Sequence, residues 1–249
     1  MEGIAPATQR RPVGRLRKGL SILFTLAFAA VVALAAGGTY AYLRLPYLRA
    51  LPQKVRQELS LHQSRWVPLR DVAPSLVTAL LATEDRTFWS NPGVSFEGIA
   101  RSVLVDMAYG RFVEGGSTLT QQLVRDQLLN DQKTVPRKLE EMVLAIALTR
   151  LDPKREILTL YLNQVYLGHG AYGIFAASET YFGRTPAELT LAQSTLLAGL
   201  PQAPSYYDPL ADPKAAAQRQ AQVVAAMEQA GALTQAQGRA VLKAPWGLR

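Results

Sequence analysis

Apolar residues recur along most of the chain with the spacing of an α-helix. Val77, Leu81, Glu84 and Phe88 follow one another at intervals of four, three and four residues. Residues three and four apart share one face of a helix, so this spacing predicts helices, and few segments alternate as strands do. Capping residues, prolines and glycines place further helices after Thr118, from Pro136 to Arg150, after Pro153, and over Ile174–Tyr181, Pro186–Leu200 and Pro213–Ala230. The pattern predicts one mainly α domain.

One segment near the N-terminus is apolar all round. From Gly19 to Leu43 there are 25 residues without a charge. A helix of that length reaches about 37 Å, enough to cross a bilayer. A signal peptide cleaved near the Ala-Ala-Gly-Gly run is the competing interpretation, but the length favours an anchor. The predicted organisation is a basic arm (1–18), a transmembrane anchor (19–43), a juxtamembrane connector (44–65) and a mainly α domain (66–249).

Charge is distributed unevenly along the chain. The whole sequence has 27 Lys and Arg against 19 Asp and Glu, but five of these cations lie in the first eighteen residues. An excess of cations before the anchor predicts a cytoplasmic N-terminus and an extracytoplasmic domain. The rest of the chain lacks the interleaved basic and aromatic runs of nucleic-acid-binding proteins, so no nucleic-acid partner is expected. There is no cysteine, which excludes disulfides and thiolate metal sites.

Two glutamates stand within apolar helical stripes. Desolvation on its stripe is expected to raise the pKa of Glu84 toward neutrality and make it a usable base. Glu141 has Arg137 and Lys138 one turn before it, which favours its charged form. Carboxyl groups whose surroundings differ in this way suit different roles in acid–base chemistry. A single such Glu is more often a structural or solvent-facing residue; the pair makes the chemical interpretation stronger.

A possible anion site lies between the two glutamates. Gly115 to Thr118 reads Gly-Gly-Ser-Thr, and Thr118 with Gln121 has the form of a capping box that begins a helix. Glycines allow close approach of the backbone, and the N–H groups of a helix start attract anions. Several cations follow it along the chain: Arg125, Lys133, Arg137 and Lys138.

Five segments, in order, resemble the motifs of one enzyme family. They are Glu84–Phe88, Gly115–Leu123, Arg137–Glu141, Tyr161–Gly168 and Leu197–Ser205. The sequence is similar in these segments to the bacterial peptidoglycan glycosyltransferases, the lysozyme-like family 51 domain of class A penicillin-binding proteins and monofunctional transglycosylases. The resemblance covers about residues 66 to 245.

The resemblance implies an enzyme that polymerises lipid II into glycan strands with inversion and releases undecaprenyl pyrophosphate. It implies that Glu84 is the general base toward the acceptor 4-hydroxyl and that Glu141 assists the leaving pyrophosphate, directly or through a divalent metal such as Mg or Mn. No organic cofactor is expected. The implied substrate-binding residues are Asp85, Phe88, Gly116, Ser117, Thr118, Gln122, Arg125, Lys133, Arg137, Lys138, Asn163 and Tyr172.

The resemblance also implies how the protein meets its surroundings. Aromatic and aliphatic residues between Phe88 and Phe112 suggest a jaw segment that dips into the bilayer beside the lipid-linked substrate. Lipid II, the growing glycan strand and the membrane bilayer are the expected partners, and the bacterial inner (cytoplasmic) membrane is the expected location. No Ser-x-x-Lys motif is followed by the length that a penicillin-binding transpeptidase needs, so a separate transpeptidase is expected to cross-link the product.

Three positions depart from the family pattern. Asn91 replaces the usual His, Arg125-Asp126 replaces Lys-Asn, and Phe175 replaces a common Glu. These departures leave open a second hypothesis, a lipid II-binding scaffold of the cell-wall machinery with weakened turnover. A third hypothesis is a lytic enzyme that cleaves glycan, since two carboxylates also serve glycoside hydrolysis. Such an enzyme would not need an anion-binding helix start.

Overall fold

The computed structural model describes residues 13–100, 102, 116–130, 132 and 134–249. Four predictions fall wholly or partly outside these residues. Lys133 and Gly115 lie outside them, and so do residues 1–12 of the basic arm and most of the jaw segment, including 103–112. In its described part, residues 96–100 are helical and Trp89 and Phe96 are exposed.

The described residues form α-helices joined by loops, with an isolated antiparallel bridge between Tyr166 and Tyr172. The predicted mainly α fold is confirmed. The helices are α1 (Val13–Leu61), α2 (Pro74–Glu84), α3 (Leu119–Leu128), α4 (Val135–Leu151), α5 (Lys154–Gln164), α6 (Gly173–Phe182), α7 (Leu191–Gly199), α8 (Pro213–Gln229) and α9 (Gln235–Lys243), with short 3₁₀ turns at Leu69–Asp71 and Leu200–Gln202.

Helix α1 contributes to two compact units, one ending at Leu43 and the other beginning at Arg44. In the first unit its apolar side chains from residue 21 onward are largely exposed, and the helix is long and apolar enough to cross a membrane. Residues 44–61, predicted as a connector, continue the same helix within the second unit. Because its buried residues there are three or four positions apart, this stretch packs as a core helix. These residues are Leu48, Leu51, Val55 and Leu59.

Two groups of helices build the second unit around the candidate site. Helices α2, α7 and α8 pack on one another, and α3 packs against α4 and α5. Helix α5 also packs against α6, and α9 packs against α8. The C-terminal end of α2 and the N-terminal end of α3 carry the residues for which chemistry is predicted.

The predicted first helix is shorter in the structure than its apolar spacing suggested. Helix α2 ends at Glu84, and Phe88 lies in the turns that follow it. Asp85 leaves the helical region, with φ −156° and ψ 79°, and its carboxylate accepts the backbone N–H of Leu119 at 3.1 Å. The Asp85 side chain thus accepts a hydrogen bond from the first residue of α3. Glu84, just before Asp85, is the last residue of α2.

Helix α7 also differs from its predicted range. It begins at Leu191 and not near Pro186, because Thr190 and Gln193 form a capping box. The chain before Thr190 forms a turn in which Glu188 accepts hydrogen bonds from the backbone N–H and hydroxyl of Thr185.

Candidate active site

The predicted capping box at the start of α3 is present. The Thr118 hydroxyl accepts the N–H of Gln121 at 3.1 Å, and the Gln121 amide oxygen accepts the N–H of Thr118 at 3.1 Å. The Thr118 hydroxyl also donates to the carbonyl of Gly93 at 2.6 Å. With Leu119 bonded to Asp85, these N–H groups already have protein partners. The expectation that they are free to hold an anion is therefore wrong for these groups.

Positive charge at this helix start comes instead from a side chain of α4. Lys138 donates from Nζ to the Ser117 hydroxyl at 2.7 Å and also contacts a carboxylate oxygen of Glu141. Its side chain is 40% exposed, so the ammonium group stands between the protein and solvent. The loop Gly116–Ser117 is also partly exposed. An anion reaching this loop would meet an ammonium group held in place.

Glu141 is completely buried beneath these cations. Arg137 Nη1 lies 3.3 Å from Glu141 Oε2, and the amide of Gln121 donates to Oε1 at 3.0 Å. Lys138 contacts the same Oε1. The predicted pairing of Glu141 with both cations is confirmed. Both carboxylate oxygens have protein partners, so Glu141 acts here as the fixed counter-charge of Arg137 and Lys138.

Glu84 has a different environment. The Gln122 amide donates to Glu84 Oε2 at 3.0 Å, and Arg219 Nη2 lies 3.3 Å from Oε1. Burial raises the pKa of Glu84; the bond from Gln122 and the charge of Arg219 oppose this without cancelling it. The raised pKa predicted from the apolar stripe is confirmed. The side chain keeps 13% of its surface accessible, so a substrate hydroxyl can reach it.

Two adjacent residues of α3 connect these carboxylates. Gln121 holds Glu141, and Gln122 holds Glu84. Consecutive helical residues point about 100° apart, so the two glutamates lie at different sides of the first turn of α3. The Tyr161 hydroxyl donates to the Gln122 amide oxygen at 3.1 Å and fixes which way that amide points. The first turn of α3 thus links the two carboxylates through adjacent glutamines.

Arg125 lies one turn further along α3. Its Nε donates to Asp126 Oδ1 at 2.8 Å, and the two side chains are more than a third exposed. The positive charge also acts on both Glu84 and Glu141. The negative charge that replaces the family's Asn is therefore paired with Arg125 in this structure.

Several predicted substrate-binding side chains are closed to a ligand here. Phe88 has no exposed surface and lies under the ammonium of Lys154, 4.7 Å from the ring centroid. Asn163 is 1% exposed, and its amide bonds the backbone of Val67 and Thr159. The surfaces and polar atoms of Phe88 and Asn163 are used in packing, and their direct contact with substrate stays a prediction.

Three other predicted residues have structural partners too. Asp85 and Thr118 are buried and organise the start of α3 through the bonds described above. Tyr172 is partly exposed and stacks on His62, with ring centroids 3.7 Å apart. It also packs against Tyr166. These contacts support Asp85 and Thr118 as residues that shape the site, and they leave the substrate contact of Tyr172 a prediction.

The departure at Asn91 is accommodated by a buried polar cluster. Its amide nitrogen donates to Asp85 Oδ1 at 2.9 Å, and its oxygen accepts from Lys154 at 2.9 Å and from the N–H of Gly93 at 3.0 Å. Asn91 thus supports Asp85, which begins α3. Phe175, the other departure, lies under the guanidinium of Arg65 at 5.2 Å.

A family model described as "Transglycosylase" matches residues 52–228. The chain belongs to the transglycosylase family. Penicillin-binding protein 1A of Aquifex aeolicus (strain VF5) is 41% identical over 180 residues, 72% of this chain and 25% of that protein. Penicillin-binding protein 1A of Escherichia coli (strain K12) is 43% identical over 171 residues, 69% of this chain and 20% of that protein.

A crystal structure of penicillin-binding protein 1A from Haemophilus influenzae is also similar. It is 27% identical, with a TM-score of 0.44, and the match covers 74% of this chain and 18% of that chain. The chain therefore spans about a quarter or less of the length of each of these three relatives.

The candidate site includes contacts that the sequence did not predict. Arg219 contacts Glu84, the Gln121 amide contacts Glu141, and the Tyr161 hydroxyl contacts Gln122. One signal for Arg219 was available. Arg219 falls on the buried face of α8, and a charge on a buried face needs a partner. The other buried residues of this helix are Ala215, Ala216, Gln220, Val223, Val224 and Met227.

Proposed function

We propose that the chain is a peptidoglycan glycosyltransferase that polymerises lipid II into glycan strands. Glu84 is the general base in this proposal. It takes the proton of the acceptor 4-hydroxyl while that oxygen bonds to the anomeric carbon of the donor. The bond from that carbon to the pyrophosphate oxygen breaks, and its electron pair leaves with undecaprenyl pyrophosphate. Attack opposite the leaving group inverts the anomeric centre.

One observation carries this proposal. Two carboxylates with different surroundings are held by adjacent glutamines of one helix, and a partly exposed ammonium group stands at the start of that helix. Glu84 is partly accessible, and burial raises its pKa above the ordinary value, which makes it a stronger base for proton abstraction. In this proposal Lys138 stabilises the charge that develops on a departing diphosphate.

Glu141 has a supporting part in this mechanism. Its burial and its two cationic partners favour a role in fixing Lys138 and Arg137 over direct contact with the pyrophosphate. A lytic enzyme would also use two carboxylates, but would gain nothing from a fixed cation pair beside them. The arrangement therefore favours transfer from a diphosphate donor.

A divalent cation does not fit Glu141 as a direct ligand. Each of its oxygens already has a protein partner, and the residues that the structure describes contain no cluster of three acidic or histidine side chains able to hold a metal ion. No step above uses a metal. The Mg or Mn predicted from the resemblance stays a prediction, and polymerisation assayed with and without a chelator tests it.

We further propose that α1 anchors the enzyme in the inner membrane, with the N-terminus in the cytoplasm. Exposed apolar side chains along its first part support the anchor. The cations before residue 19 support the orientation. A separate transpeptidase partner remains a prediction. Accessibility of cysteines introduced on either side of the anchor to a membrane-impermeant reagent would measure the orientation.

The decisive experiment follows the fate of labelled lipid II incubated with the purified full chain in detergent. Formation of long glycan polymer is expected. Bound but unconverted lipid II would instead support the scaffold hypothesis that Asp126 and Asn91 raise. Shortening of added glycan strands would support lytic activity. Either of these two results, in the absence of polymer, would overturn the proposed function.

A further inference from the structure

We propose that Arg219 is a positioning residue for Glu84, which orients its carboxylate and supplies its counter-charge during proton abstraction. The inference rests on the proposed function of Glu84 as the base. It concerns a residue of α8, 135 positions along the chain, outside the five segments that carry the family resemblance.

The guanidinium of Arg219 is held by several contacts at once. Its Nε donates to the carbonyl of Gly199 at 3.0 Å, and Nη1 donates to the side chain of Gln222 at 2.9 Å. The remaining nitrogen, Nη2, is directed at Glu84 Oε1 at 3.3 Å. The residue is 8% exposed, and the ring centroid of Tyr207 lies 5.7 Å from its Cζ. Because the guanidinium is planar and already held at Nε and Nη1, little further conformational entropy is lost when Nη2 bonds to Glu84.

The neighbouring backbone makes room for this cation. A Cβ added at Gly199 would lie 2.8 Å from Arg219 Cγ and 3.3 Å from Val223 Cγ2. Real Cβ atoms essentially never come as close as the 2.8 Å to Arg219 Cγ, so the absence of a side chain at Gly199 allows Arg219 to lie against α7. The end of α7 therefore sets where the guanidinium stands relative to Glu84.

The groups that face Glu84 come from three neighbouring elements and from its own. Gln122 and Arg125 approach from α3, Arg219 from α8, and Asp85 follows Glu84 directly. Arg219 is the stronger of the two opposing cations, and Asp85 adds a weaker repulsion. The Tyr161 phenol of α5 stays protonated because burial raises its pKa far above the ordinary value.

Glu84 thus experiences opposing effects. Burial keeps its affinity for a proton high enough for it to act as a base, and Arg219 keeps it from being protonated when substrate arrives. Arg219 lowers the pKa of Glu84 and burial raises it. Loss of Arg219 would therefore raise this pKa further, and Glu84 would stay protonated up to a higher pH. A purely structural arginine would change stability and leave this titration unmoved.

The test compares pH profiles of kcat/KM for wild type, Arg219→Gln and Arg219→Lys. In Arg219→Gln the acid limb of the profile, where activity falls as Glu84 becomes protonated, should move toward higher pH. Activity at the acidic end of the wild-type range should then fall about tenfold more than activity on the plateau. Arg219→Lys keeps the positive charge but loses the planar guanidinium that orients the Glu84 carboxylate. Its acid limb should therefore stay near that of wild type, while its kcat falls.

Arg86 offers a matched control. Its Nε donates to the carbonyl of Ala82 at 3.0 Å and Nη2 donates to Gln229 at 3.0 Å, so it makes the same kinds of structural bonds without contacting Glu84. Arg86→Gln should keep the wild-type acid limb. An unmoved acid limb in Arg219→Gln would overturn the proposal, and so would an equal shift in Arg86→Gln.

A second measurement separates this inference from the proposed function. The carboxyl carbon of Glu84, assigned by its loss in Glu84→Gln, can be titrated by NMR without any substrate. Its midpoint should be higher in Arg219→Gln than in wild type, and an unmoved midpoint would contradict the inference even in an inactive protein. Gly199→Ala, which displaces the guanidinium without removing its charge, should move the midpoint the same way and replaces Arg219→Gln if that variant does not fold.

Discussion

Glu84 and Glu141 are the same residue type in the same site, held by neighbouring glutamines, yet their surroundings differ. Glu141 has no exposed surface and touches two cations that belong to its own helix. Glu84 keeps 13% of its side-chain surface and touches a single arginine from a distant helix. The difference shows that a buried carboxylate whose two oxygens both bond to neighbouring protein groups serves as a counter-charge for the cations of its own helix. A carboxylate with one distant partner and an open side is still able to accept a proton.

Glu84→Gln should have the largest effect on catalysis. Gln keeps the shape and the hydrogen bonds but cannot take a proton, so kcat/KM for lipid II should fall by about 10²–10⁴. Polymer formation in initial-rate assays measures this loss. A variant with wild-type rates would remove Glu84 from the role of base and would make the two glutamates equivalent.

Glu141→Gln should have a smaller effect on rate and a larger one on stability. It leaves Arg137 and Lys138 facing a neutral amide, which should lower the free energy of unfolding by about 1–3 kcal/mol. The corresponding loss is a few degrees in Tm, while turnover should fall by roughly 10–100-fold as the cations lose their fixed positions. Thermal unfolding and polymer assays on the same sample check both. Full activity with unchanged Tm would return Glu141 to the status of an ordinary buried residue.

The pH dependence of stability gives an independent view of Glu84. Burial raises its folded-state pKa above that of the unfolded chain. The protonated form therefore contributes stability that is complete below the unfolded pKa and is lost as pH rises through the folded pKa. Denaturant unfolding at several pH values should show wild type losing stability relative to Glu84→Gln over that window. The opposite trend would mean that Arg219 outweighs burial.

Arg125→Ala should have the smallest effect on stability. Its visible bond is to Asp126 on a surface more than a third exposed, where an ion pair contributes about 0–1 kcal/mol. Turnover should fall by about tenfold if its charge acts on the diphosphate, because that charge reaches both glutamates. The ratio of lost rate to lost Tm, measured beside Glu141→Gln, distinguishes an exposed substrate cation from a buried counter-charge. A larger loss of Tm than of rate would contradict this assignment.

The parts of the site that the sequence predicts well are local. The capping box of Thr118 and Gln121 spans three residues, and Arg137 and Lys138 reach Glu141 within one helical turn. Fixed helical geometry turns such spacings into contacts. The mainly α fold followed from the same periodicity.

The parts that the sequence does not predict depend on tertiary packing. Nothing in the spacing near Glu84 specifies that Arg219 reaches it, or that Asp85 leaves α2 to begin α3. The same packing buries Phe88 and uses the amide of Asn163 to hold Val67. The motif resemblance placed these residues near the site, but it could not tell a residue that touches substrate from one that supports it.

The central claim is that Glu84 moves the proton while Glu141 only holds cations in place. It is tested most directly by measuring lipid II binding and polymer formation side by side for Glu84→Gln and Glu141→Gln. Glu84→Gln should bind lipid II with wild-type affinity and form no detectable polymer, whereas Glu141→Gln should bind it more weakly and still form some polymer. Normal polymer formation by Glu84→Gln, or wild-type binding with complete loss of turnover in Glu141→Gln, would contradict the account.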